Sequence, residues 1–283
     1  MFASAQLSVW HATLDAYPRA LAALCDSKKG ANALRLAELD KWYQETLPGL
    51  IIARKPDIDP QGHGAYLTRE EVVKITEWKL KRGKFRPRLQ SLVESNTDAT
   101  VQKITSEAFA KFPNVQASLK ILSGLKGVGP ATASGRRVNL TLGSLVAILA
   151  AFSPSIPFMS DEAMEAVPGM GKIAYVEKYY LKYNDNINEK CEELNSNERA
   201  GELRTNDAVY MILNGRLICS YRKIKLFTGF VWTPRLLERT LWTYTVCHRF
   251  GIEIAEGSKK RMRVQKGAEV VGSDDGKRRK REI

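Results

Sequence analysis

A chain of 283 residues, 44% hydrophobic and 27% charged, can bury a sizeable core and is not disordered throughout. Its formal net charge of +13 points toward a polyanionic partner. The longest apolar run, Leu145 to Phe152, falls far short of the roughly 20 residues a membrane span needs. The four cysteines are scattered without a CxxC pair, and the three histidines do not cluster, so neither a disulfide framework nor a metal or iron–sulfur site is expected.

The N-terminal stretch lacks the basic-then-apolar order of a secretory signal. Leu36, Leu39 and Tyr43 follow helical spacing, and residues 48–66, rich in Pro, Gly and Asp, read as a loop. Thr68 with Glu71 forms a capping box that opens the next helix. That helix runs into residues 74–88, where seven Lys or Arg face one acid, with Trp78 and Phe85 interleaved; Gly83 and Pro87 then break it. Lys81, Arg82, Lys84 and Arg86 are the candidates for contacts to a phosphate backbone. The alternative is a solvated face with Trp78 in the core, and the two readings are compatible.

Val101, Ile104, Ala108 and Phe112 mark another helix, ended by Pro113. A short helix from Val115 to Leu122 leads into Leu125-Lys126-Gly127-Val128-Gly129, and a further helix is expected from about Pro130. Two glycines flanking an aliphatic residue allow a tight turn with bare amides, a site suited to a DNA phosphate, with Lys126 adding charge and Thr132 following. Beyond it, residues 135–146 and about 200–231 depart from the helical texture, with β-branched residues, glycines and arginines; the first reads as an insertion or a retained intron, and both are compatible with ordinary loops or short strands. Helices are expected from about Ile173 to Leu194 and from Thr233-Pro234, the latter with Leu237, Leu241 and Tyr244 on one face. The expected fold class is all-α over residues 1–257.

Residues 258–283 hold ten basic and four acidic residues, a surplus of six, and read as a disordered tail. Its clusters, Lys259, Lys260 and Arg261, then Lys277, Arg278, Arg279, Lys280 and Arg281, have the look of a two-part nuclear localisation signal that an import receptor would read. The inserts and tail together supply eleven of the thirteen net charges, so whole-chain basicity says little about the folded face.

The segment Leu125-Lys-Gly-Val-Gly-Pro-Ala-Thr-Ala133, hairpin 115–134 as a whole, resembles the helix-hairpin-helix motif of the DNA glycosylase superfamily, and Thr68 to Asn96 resembles a little-characterised eukaryotic branch of it. The resemblance implies a glycosylase-like helical fold, duplex DNA as partner, no cofactor, base excision repair in the nucleus, and base flipping into a pocket. It makes Asp161, in Ile156-Pro-Phe-Met-Ser-Asp161, the carboxylate that stabilises charge on the sugar and orients water; on the residues alone, Asp161 or Ser160 is a helix cap. Members that also cleave the strand carry a lysine two residues after the second glycine, where this chain has Ala131; the resemblance therefore implies a monofunctional N-glycosylase. The alternatives are a noncatalytic DNA-binding protein on the same scaffold and a protein-interaction module. Trp232, Trp242, Tyr244, Tyr179 and Tyr180 are candidates for a base-stacking wall, or core.

Overall fold

Five helix starts among the described residues are set by side chains that accept a first free amide. Thr68, Thr97, Asn114, Ser160 and Thr233 each take the amide of the residue three positions on, removing one unpaired donor per helix. The computed structural model describes residues 1–28, 30–54, 64–84, 86, 88–126, 142–214 and 230–254, with side chains from 201 to 214 excepted. In order come α1 (Leu7–Asp15), α2 (Tyr17–Asp26), α3 (Ala31–Lys41), a π-helical turn (Trp42–Thr46), α4 (Leu47–Ala53), α5 (Arg69–Arg82) and α6 (Leu89–Glu94). Then follow α7 (Asp98–Phe109), α8 (Val115–Leu122), α9 (Leu142–Phe152), α10 (Asp161–Ala166), α11 (Glu177–Asn214) and α12 (Pro234–Phe250). The described residues hold no strand, and the fold is all-α. Among them no helix is long and apolar enough to cross a membrane.

α9 is apolar on every side and buried from Leu142 to Ala151, which places it at the centre. α5, α4 and α8 pack around it. The Tyr43 hydroxyl donates to the Ala147 carbonyl at 2.7 Å, and its ring stacks on Trp78 with centroids 3.7 Å apart. α12 organises the other side, against α1, α2, α10 and α11. Arg235, in its first turn, joins the two sides: one guanidinium nitrogen donates to the Ala150 carbonyl at 2.9 Å and another to the Tyr43 carbonyl at 2.8 Å. A cation thus satisfies a last-turn carbonyl of α9, where the helix dipole favours it.

Several expectations are corrected. Residues 47–53 are helical, because a proline in the first turn is compatible with a helix start. Of the atypical segment 135–146, residues 142–146 are not a loop or strand but the buried first half of α9, while 135–141 lie outside the described residues. The segment 200–231 begins as helix, since α11 starts at Glu177 and continues to Asn214. Its residues 215–229 lie outside the described ones, as does the tail from 255 on.

Candidate active site

The end of α5, the start of α9, the start of α10 and the segment that follows α10 meet around a cavity of about 300 Å³, the lower end of the range for ligand pockets. Local rules put the side chains there. Along α5, Val72, Ile75, Lys79 and Arg82 recur at intervals of three and four, so the two cations share one stripe, Arg82 buried and Lys79 part-buried. Lys79 reaches the cavity wall and donates to the buried Ser144 hydroxyl at 2.9 Å. Gly143 leaves room for it: a Cβ at that position would stand 3.1 Å from the lysine Cε.

Asp161 enters from the opposite wall. Ser160 caps α10 through the Ala163 amide and donates its own proton to Glu238 at 2.5 Å. The backbone carrying Asp161 is thereby anchored to α12. One Asp161 oxygen accepts from the Tyr175 hydroxyl at 2.5 Å and the other from the Lys84 ammonium at 2.8 Å. Burial, followed by this bond to Asp161, holds the Tyr175 phenol well above the usual tyrosine range, so it stays a donor. The Asp161 side chain is 21% exposed, within reach of a ligand.

Arg86 and Lys28 complete the basic lining, and neither has a carboxylate partner among the described residues, whereas Arg249 pairs with Glu162 at 3.2 Å. Burial, with Arg86 adding, pushes the Lys79 ammonium down to about 8, against the pull of Asp161. Arg82, Lys84, Glu162 and Glu165 are the other charges on the same walls.

That depression has a testable sign. Between about 8 and the ordinary 10.5 the unfolded chain binds the Lys79 proton and the folded chain releases it, so stability rises with pH across this window. Lys79→Met lacks this contribution. The variant is expected to be more stable than the parent at pH 7 by on the order of 1–3 kcal/mol, with the difference shrinking toward pH 10.5. Urea unfolding across that range measures it, and a difference independent of pH refutes it.

The residues predicted from sequence are not all brought together. Lys84 and Arg86 line the cavity with Asp161. Lys81 turns to a neighbouring groove, bonded to Asn32 at 2.7 Å. Arg82 is corrected from a DNA contact to a core residue: its side chain is 2% exposed, pairs with Glu238 at 3.2 Å and lies over the Trp242 ring at 4.4 Å. The proposed base-stacking wall is corrected in the same way for Trp232, Trp242 and Tyr180, all fully packed in the core, while Tyr179 and Tyr244 are half-buried. Lys126 is exposed, and the Asn96 side chain grips its backbone, accepting from its amide and donating to its carbonyl at 2.9 Å each. Gly127, Val128, Gly129, Ala131 and Thr132 lie outside the described residues, as do the tail clusters Lys259–Arg261 and Lys277–Arg281.

Sequence reasoning passed over Lys79, Ser144 and Tyr175. The three-and-four spacing on α5 was the available signal for Lys79; nothing local marks the other two. Among the described residues no group of three or more metal-ligating side chains forms. Comparison with protein-family models, with curated proteins and with solved structures found no match.

Proposed function

We propose that the chain binds duplex DNA through the 125–129 corner and the basic lip of the cavity, and hydrolyses an N-glycosidic bond at Asp161. One observation carries this reading: Asp161 stands in a cavity, partly exposed, with cations on the same walls that have no carboxylate partner among the described residues. A carboxylate held by two donors in a fixed position stabilises a developing positive charge on a sugar without reorganising. In this reading Lys28 and Arg86, on the cavity wall, and the exposed Lys126 neutralise phosphates. The resemblance of the 125–133 segment to the helix-hairpin-helix motif supplies the class of partner. Nuclear import through the tail clusters belongs to the same proposal, and the distribution of a reporter fused to residues 258–283 tests it.

A second reading is favoured by the engagement of both Asp161 oxygens, one by Tyr175 and one by Lys84. In it, Asp161 ties α10 to its surroundings and the protein binds DNA without cleaving it. Base release from a panel of lesion-bearing duplexes separates the two. Asp161→Asn is expected to lower release about 10²–10³-fold while leaving salt-dependent duplex binding intact. Release that survives the substitution defeats the catalytic reading, and no duplex binding by the parent defeats both.

A further inference from the structure

The cavity contains a group that glycosidic hydrolysis at Asp161 does not use. Lys79 is a primary amine on the cavity wall, held by a single neutral partner, the Ser144 hydroxyl at 2.9 Å. No carboxylate pairs with it among the described residues, although Asp161 lies across the same space. Gly143 keeps its terminal carbons from being crowded. Arg86 and Lys28, without a carboxylate partner among the described residues, offer positive charge on the same walls, and an anionic ligand would find it there. A part-buried amine that shares a cavity with other cations is the kind of arrangement that makes lysine a nucleophile.

We propose that Lys79 condenses with the carbonyl carbon of an anionic aldehyde or ketone, forming an imine in this cavity. The neutral nitrogen attacks the carbonyl carbon, a C–N bond forms, and the C=O electron pair moves to oxygen. That oxygen takes the proton released by the nitrogen, accepts a second from a cavity acid, and leaves as water. The resulting iminium returns one proton to the acid, so amine and carbonyl give imine and water with no oxidant or reductant. Tyr175, which keeps its proton and donates to Asp161, is the cavity acid, giving its proton to the leaving oxygen and taking one back from the iminium. Arg86 and Lys28 hold the carboxylate or phosphate of the ligand. The depressed Lys79 value supplies neutral amine near neutral pH, which ordinary lysines lack.

The ligand chemistry has two sources, a free carbonyl acid and the aldehyde of an abasic deoxyribose between phosphates, and the experiment has an arm for each. The full chain is incubated at pH 7 with glyoxylate, reduced with borohydride and mapped by peptide mass spectrometry. Carboxymethylation is expected at Lys79, at least about tenfold above the exposed Lys103 and Lys120. Lys79→Arg, with its helical circular dichroism unchanged, is expected to lose that label, and Ser144→Ala, which keeps the amine, to retain it. In the second arm an abasic duplex replaces glyoxylate; a reduced cross-link at Lys79 assigns the nucleic acid source, and glyoxylate labelling alone assigns a free ligand. Uniform labelling of surface lysines, or labelling of Lys84 in place of Lys79, overturns the proposal. The inference stands apart from glycosidic hydrolysis: trapping without base release sinks that reading alone, and release without trapping sinks this one alone.

Discussion

Arg82→Ala is expected to lower the unfolding free energy by about 3–5 kcal/mol, the range for removing one member of a buried ion pair. Arg82 and Glu238 are 2% and 3% exposed, and one guanidinium nitrogen meets the carboxylate at 3.2 Å. The remaining guanidinium nitrogens have no hydrogen-bond partner, but the group lies over Trp242 at 4.4 Å, Trp78 at 5.2 Å and Phe158 at 5.5 Å. The truncation therefore removes the aromatic contacts and leaves Glu238 in a site whose burial pushes its carboxyl up, with Ser160 as its remaining donor. Removing both charges in Arg82→Met with Glu238→Gln is expected to recover most of the loss, because the desolvation cost leaves with the pair. Urea unfolding of the two variants measures this. A loss of about 1 kcal/mol or less for Arg82→Ala, the value of a surface pair, contradicts it.

Asp40→Ala is expected to cost a similar amount, about 3–5 kcal/mol, for a different reason. Asp40 is 2% exposed and accepts from the Tyr17 hydroxyl at 2.7 Å and from the Trp78 indole N–H at 2.9 Å. Without it, two buried donors lose their acceptor, each at roughly 1–3 kcal/mol. Trp78→Phe isolates one arm: it removes the indole donor, keeps much of the stack on Tyr43, and is expected to cost less than half as much. Equal losses in Asp40→Ala and Trp78→Phe would show that the carboxylate's second bond contributes nothing.

The parts of this fold that could be read from sequence are those fixed within one or two turns. The Thr68–Glu71 capping box is present with both of its reciprocal bonds, α8 spans Val115–Leu122, and Thr233-Pro234 opens α12. Each signal needs only residues three positions apart. Arg82 was hidden because it is one of seven like charges in residues 74–88, and what separates it from them is Glu238, 156 positions away. The same holds for the segment before Val146: its glycine and serine look like helix breakers in isolation. In the fold, Gly143 makes space for Lys79 and Ser144 accepts from it. A polar residue looks misplaced in an apolar helix until its distant partner is known. Asp161 was found at the start of a helix, as its position after Ser160 suggests, but Tyr175 and Lys84 come from segments that no local pattern connects to it.

The shared carboxylate of Glu238 also sets an order of events. It receives the Ser160 hydroxyl from 78 positions upstream and the Arg82 guanidinium from 156 positions upstream. Contacts at such separations close late, after the loop entropy between them has been overcome, and α12 is the last described helix to leave a ribosome. A nascent chain therefore carries Asp161 before it has Glu238, the acceptor that anchors the neighbouring Ser160 to α12.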